Sequence, residues 1–104
     1  MRALSWGVWF FCGFASLGHA AEPSGPDGRA VYEDRCRFCH DVGVRGAPQP
    51  GNRFVWPKPT EENIDMLAHK AKCGERVMPP MGTCKHCTID DIKAAIRYMI
   101  EYRP

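Results

Sequence analysis

The chain has 104 residues, of which 44% are apolar, with 14 Lys and Arg against 12 Asp and Glu. That length bounds it to one small domain. The near-balanced charge, with no basic run interleaved with aromatics, argues against a nucleic-acid binder.

The first stretch reads as a leader rather than part of that domain. Arg2 supplies the positive end, residues 4–17 are apolar or small, and Gly18-His19-Ala20 offers small residues where a signal peptidase reads. Cleavage after Ala20 is therefore expected. An uncleaved membrane anchor is the alternative, but the uncharged run over residues 3–18 falls short of the ~20 a spanning helix needs. A lipoprotein reading at Cys12 suffers from bulky Phe10 and Phe11 just before the cysteine. The expected organisation is a signal peptide over 1–20, a flexible lead over 21–26 and a single domain over 27–104. A mature chain of 84 residues hides only roughly 60–65% of its unfolded surface, so its core needs a staple. Five cysteines remain: Cys36, Cys39, Cys73, Cys84 and Cys87. In an exported protein their expected use is a disulfide or a covalent cofactor.

Asp27 can cap a helix over residues 28–37, with Val31 and Tyr32 facing inward. Residues 41–59 carry Gly43, Gly46, Pro48, Pro50, Gly51, Pro57 and Pro59, a density that predicts a long loop with no regular element. A loop of that length in so small a domain needs something large to wrap around. Thr60 begins the next helix, with Glu61 and Glu62 suiting its dipole and Gly74 placed to end it. Ile64, Leu67, Ala68 and Ala71 share one face of it. A second breaker-rich loop runs over residues 74–87. The last helix starts at Thr88, where Asp91 completes a capping-box pattern, and Ile92, Ile96, Met99 and Ile100 form its apolar stripe. No alternating run suggests a strand, so the expected class is all-α: three to four helices with long loops.

Cys36-Arg37-Phe38-Cys39-His40 is the pattern of c-type haem attachment. Two thiols three residues apart can each form a thioether to one haem vinyl group, and the adjoining His40 then lies under the iron as an axial ligand. Downstream, Val77-Met78-Pro79-Pro80-Met81-Gly82 offers a thioether sulfur on a backbone stiffened by prolines. Such a soft, neutral ligand favours ferrous iron and raises the reduction potential relative to two histidines. Met78, which directly precedes the proline pair, is favoured over Met81; the other reading makes both ordinary core fillers.

With these motifs the mature chain resembles a class I cytochrome c of the cytochrome c5 type. The matching features are the attachment motif, Gly46-Ala47-Pro48, Trp56, the Met-Pro-Pro loop, Gly82-Thr83-Cys84-Lys85-His86-Cys87 and the run from Asp90 to Met99. The resemblance implies one covalent haem c with His40 and Met78 as axial ligands. It implies that Pro48 offers its carbonyl to the His40 ring N–H, and that Trp56 packs beside the haem edge. It also implies that Gly28 and Tyr32 cross Ala95 and Tyr98, and that Cys84 and Cys87 form a small structural disulfide. A redox-active role for that pair is the less favoured option. Cys73 has no partner in this scheme and is expected to be a buried or half-buried thiol, or else an intermolecular disulfide. His69 and His86 are expected to be solvated. Lys70, Lys72, Arg76 and Lys85 would form a positive rim that steers an acidic redox partner.

An iron with His40 and Met78 on its two sides has no open position, which implies a periplasmic electron carrier between redox proteins rather than an enzyme. A haem subunit of a larger oxidoreductase is the nearest alternative. A structural zinc protein using both Cys-x-x-Cys pairs is further off, because 44 residues separate the pairs and His40 and Met78 go unused.

Overall fold

The computed structural model describes residues 25–104, together with Gly7 and Gly13. The expected leader over 1–20 lies outside this range, apart from those two glycines. Among the described residues the architecture is helical with no strands, as expected, and no helix is long and apolar enough to cross a membrane.

The first helical run, α1, consists of Gly28–Val31, Tyr32–Cys36 and Arg37–His40 in succession, the middle piece being a π-turn. Asp27 caps it, its carboxylate accepting from the Arg29 and Ala30 N–H groups at 3.0 and 3.3 Å. The expected end near Arg37 is passed by three residues. The π-turn is marked by the Arg37 N–H donating to the Tyr32 carbonyl, five residues back. One inserted residue changes which side chains share a face. At 3.6 residues per turn, positions eight apart would lie about 80° from one another, whereas with one residue absorbed the offset is only about 20°. Tyr32 and His40 thereby share an inward face, and both are buried.

The helix α2, Glu61–Cys73, starts at Thr60, whose hydroxyl accepts from the Asn63 N–H at 3.2 Å. Ile64, Ala68 and Ala71 bury its apolar face. The helix α3, Ile89–Glu101, carries the expected capping box: the Asp91 N–H donates to the Thr88 hydroxyl, and the Thr88 N–H donates to the Asp91 carboxylate. Its buried stripe is Ile92, Ala95, Ile96, Met99 and Ile100. Ion pairs between Lys93 and Asp65 (2.6 Å) and between Arg97 and Glu61 tie α2 to α3 along their outer edge.

α1 crosses α3 at very close range. A Cβ built on Gly28 would sit 2.1 Å from the Ala94 carbonyl oxygen, so only glycine permits this approach. Tyr32 then packs against Tyr98 with ring centroids 5.1 Å apart and ring planes tilted by 45°. The two loops are less featureless than their breakers suggest. A 3-10 turn, Val44–Gly46, interrupts the first, and another, Pro80–Thr83, interrupts the second.

The core is thin. Ile64 and Cys84 are the largest side chains that are fully buried, and the core cluster adds Tyr32, Ile92, Ile96, Met99 and Ile100 with alanines 68, 71 and 95. Cys36, Trp56, Leu67, Met78 and Met81 are among the partly buried side chains that pack against it.

Candidate functional site

Helix α1 delivers Cys36, Cys39 and His40 from its last turns. The thiols of Cys36 and Cys39 are both free, Cys36 half-buried and Cys39 exposed. Burial, assisted by the nearby Asp34 carboxylate, pushes the Cys36 thiol up to about 11, so at neutral pH it is a protonated thiol rather than a thiolate.

His40 is held by the loop that follows it. Its Nδ1 lies 2.8 Å from the Pro48 carbonyl oxygen. A carbonyl only accepts, so Nδ1 carries the proton and Nε2 presents its lone pair. The loop is in turn laced shut. Gln49 donates from Nε2 to the Asp41 carbonyl at 3.0 Å, and Trp56 donates from Nε1 to the Gln49 carbonyl at 2.8 Å. Trp56 thus comes to 6.4 Å, centroid to centroid, from the His40 ring. Asp41 accepts a hydrogen bond from the Tyr32 hydroxyl. Burial first, then that hydrogen bond, raises the Tyr32 hydroxyl well above its ordinary value, so it remains a phenol donor. The histidine, its loop and the α1–α3 crossing form one connected unit.

The methionine loop is built differently. Gly74 ends α2 at φ 84° and ψ 144°, a backbone conformation open essentially to glycine alone. A short backbone bridge follows, in which Glu75 and Met78 exchange N–H to carbonyl bonds of 3.1 and 2.9 Å. Pro79 is extended, and Met81 and Thr83 both take left-handed φ values, of 59° and 68°. For a β-branched residue such as Thr83 that is strained backbone. Met78 and Met81 are both partly buried and packed on the core, with the Met78 methyl lying against Gly82.

Cys84 and Cys87 are joined in a disulfide. The Cys84 N–H donates to the Met81 carbonyl at 3.0 Å, which couples this turn to the methionine loop.

These donors fit a covalently held haem. Two free thiols sit three residues apart at a helix end, an imidazole beside them has one nitrogen committed and the other open, and two thioethers pack partly buried on the core.

Comparison with known proteins agrees. The family model described as cytochrome c oxidase, cbb3-type, subunit III matches residues 23–99. Cytochrome c5 of Ectopseudomonas mendocina is 38% identical over 71 residues, covering 66% of this chain and 82% of its own. This chain belongs to the class I cytochrome c family.

Among solved structures, a mono-heme ferrocytochrome c from Shewanella putrefaciens is 39% identical with a TM-score of 0.63, covering 75% of this chain and 96% of that one. A chain from an electron transfer complex of nitrite reductase with cytochrome c is 31% identical, also with a TM-score of 0.63, over 72% of this chain and 91% of that one. The protein is accordingly a small electron-carrier cytochrome c with one covalent haem c.

Two side chains depart from expectation. Cys73 is exposed rather than buried, 3.9 Å from the His69 ring on the same face of α2. His86 is exposed as expected, with its Nε2 3.1 Å from an Asp34 carboxylate oxygen. Lys70 pairs with Glu75 at 3.5 Å, which removes one charge from the expected positive rim. Sequence reasoning missed the Tyr32–Asp41–Gln49–Trp56 lacing. The only signal for it was a run of hydrogen-bonding side chains on either side of His40.

Proposed function

We propose that this cytochrome c is a periplasmic carrier of single electrons between redox proteins, with its haem joined to Cys36 and Cys39 and its iron held axially by His40 and Met78. The haem would supply a reversible one-electron couple. The carrying observation is the His40 ring: Nδ1 is committed to Pro48 and Nε2 is left free, the arrangement that fixes a ligating histidine's tautomer and orientation.

The remaining roles follow from the chain's own groups. Pro48 and Trp56 belong to the haem environment on the histidine side. Met78 is favoured for the other side because both its backbone groups are pinned to Glu75 and rigid Pro79 follows, so its sulfur needs little ordering on ligation. The Cys84–Cys87 disulfide braces the loop that carries it. Two filled axial positions leave no place for a substrate at the iron, so the protein is not an enzyme. Residues 1–20 act as the export signal and 21–26 as a lead, with the cytochrome c domain over 27–104.

The family model's description as an oxidase subunit favours a second reading, in which the same domain serves as a haem c subunit of a larger oxidoreductase. Purification from native membranes distinguishes the two: a carrier is recovered alone, a subunit with its complex.

Visible spectra of the matured protein test the ligation. Reduction should give sharp low-spin c-type bands, and carbon monoxide should leave them unchanged. Met78→Ala should abolish the ferric methionine-ligation band while Met81→Ala keeps it. Loss of the band on changing Met81 instead would sink the assignment.

A further inference from the structure

The bond that orients His40 ends on a residue with no N–H of its own to anchor it. The Pro48 carbonyl accepts from the His40 ring at 2.8 Å, but neither Pro48 nor Pro50 has a backbone donor to give. On one side the stretch is fixed by the Ala47 N–H, which donates to the Val44 carbonyl at 3.0 Å. On the other side it is held by Gln49. The Gln49 side-chain Nε2 donates to the Asp41 carbonyl at 3.0 Å, so the residue after His40 is tied to the residue after Pro48. The two bonds, from His40 to Pro48 and from Gln49 to Asp41, each span eight residues and run in opposite senses across the base of one loop.

Gln49 is anchored in its turn. Its carbonyl accepts from Trp56 Nε1 at 2.8 Å and from the Asn52 N–H at 3.2 Å. Its side chain lies against Gly43, where an added Cβ would meet Gln49 Cγ and Cδ at 3.6 and 3.7 Å. Two residues on, the Gly51 N–H donates to the Met99 carbonyl at 2.7 Å and ties the stretch to α3. Gln49 is nonetheless exposed, so core packing does not call for it.

We infer that Gln49 is a positioning residue for the axial histidine: by clamping Pro48 against Asp41 it sets the strength of the His40 Nδ1–H bond, and with it the electron density that His40 offers the iron. The inference rests on the reading of His40 as an iron ligand. A ligating imidazole whose other N–H is firmly bonded is a more basic ligand. A more basic ligand favours ferric iron, so the clamp holds the reduction potential down. Without the Gln49 amide the Pro48 carbonyl is freer to move, the bond weakens and the potential rises.

The test uses the haem-loaded protein with Gln49→Ala and with Gln49→Leu, which keeps bulk against Gly43 but has no amide. Asn52→Ala is the comparison, since it removes a different side-chain tie in the same loop, the one that accepts from the Phe54 N–H at 3.1 Å. Proton magnetic resonance of the ferrous protein follows solvent exchange of the His40 Nδ1 proton, and spectroelectrochemistry gives the potential. Both Gln49 variants should exchange that proton at least about fivefold faster. Both should shift the one-electron couple about threefold towards ferrous iron, a rise of about 28 mV at about 59 mV per tenfold. Asn52→Ala should match the parent in both measurements. Parent values in the Gln49 variants, effects in Gln49→Ala that Gln49→Leu lacks, or equal effects in Asn52→Ala would overturn the inference. The parent spectrum separates this from the reading beneath it. If the parent lacks low-spin histidine ligation, both fall; if it has that ligation and the Gln49 variants are silent, only the role of Gln49 falls.

Discussion

The two loops that flank α2 hold the two proposed iron ligands by opposite means. Residues 41–59 hold His40 through side chains: Asp41, Gln49 and Trp56 lace the loop, Pro48 orients the ring, and Tyr32 ties the whole to the α1–α3 crossing. Residues 74–87 hold Met78 through backbone and one cross-link, with a Gly74 turn, a two-bond bridge, a proline pair, left-handed Met81 and Thr83, and a disulfide. An imidazole has a second nitrogen that a neighbour can grip, whereas a thioether has no hydrogen and can be positioned only through its chain. The asymmetry therefore follows from the two donors themselves. It predicts that the histidine side fails when its packing is disturbed, and the methionine side when its backbone is.

The sharpest way to break the first side is at Gly28. Gly28→Ala drives a Cβ to within 2.1 Å of the Ala94 carbonyl oxygen and 2.6 Å of its carbon, both backbone atoms that cannot swing aside. The gain in helix propensity is under about 1 kcal/mol and does not offset forcing the crossing apart. A loss of about 3 kcal/mol is expected, read by denaturant unfolding, with the Tyr32–Tyr98 contact disturbed and the methionine-ligation band retained until unfolding. Gly74→Ala probes the other side. There φ is positive and the added Cβ meets the Met78 carbonyl oxygen and the Pro80 nitrogen at 3.1 Å. About 2 kcal/mol should be lost, and unlike the Gly28 change it should weaken the methionine-ligation band in the folded protein. If both substitutions act alike on that band, the division between the two loops fails.

The helices were largely legible because their starts are chemical: Asp27, Thr60 and Thr88 each accept from the first turn, as their side chains suggest. The end of α1 was not. A π-turn changes which residues share a face without changing composition, so nothing in Tyr32 to Cys36 announces that Tyr32 and His40 will lie on one side. Contacts between distant residues were equally invisible. His86 meets Asp34, and Tyr32 meets Asp41, through side chains that could as well have been solvated. Cys73 shows the reverse error. Its place near the end of an amphipathic helix suggested burial, but the inward face is taken by Ile64, Ala68 and Ala71, and Cys73 lies off it. At the candidate site, the spacing of Cys36, Cys39 and His40 is local and readable. The preference for Met78 over Met81 rests there on the proline pair that directly follows Met78, a local feature that acts through backbone stiffness.

The mildest change sharpens the comparison by removing a single atom. Tyr32→Phe keeps the ring packing on Tyr98 but deletes the hydroxyl that donates to Asp41, and so loosens the histidine loop without touching the methionine loop. The cost should be about 1.5 kcal/mol, that of a hydrogen bond to a charged acceptor. Its pH dependence has a definite sign. The folded-state pKa of Tyr32 is raised above the ordinary phenol value of 10.0, so the native state holds this proton more tightly than the unfolded chain does. The associated stability is complete below that value and declines as pH climbs through and beyond it. Phenylalanine has no such proton, so the gap in stability between parent and variant should narrow in alkaline solution. Unfolding followed at neutral pH and again well above 10 measures this directly. No gap at either pH would mean that Tyr32 steadies the loop through ring packing, leaving the tie to Asp41 without energetic weight.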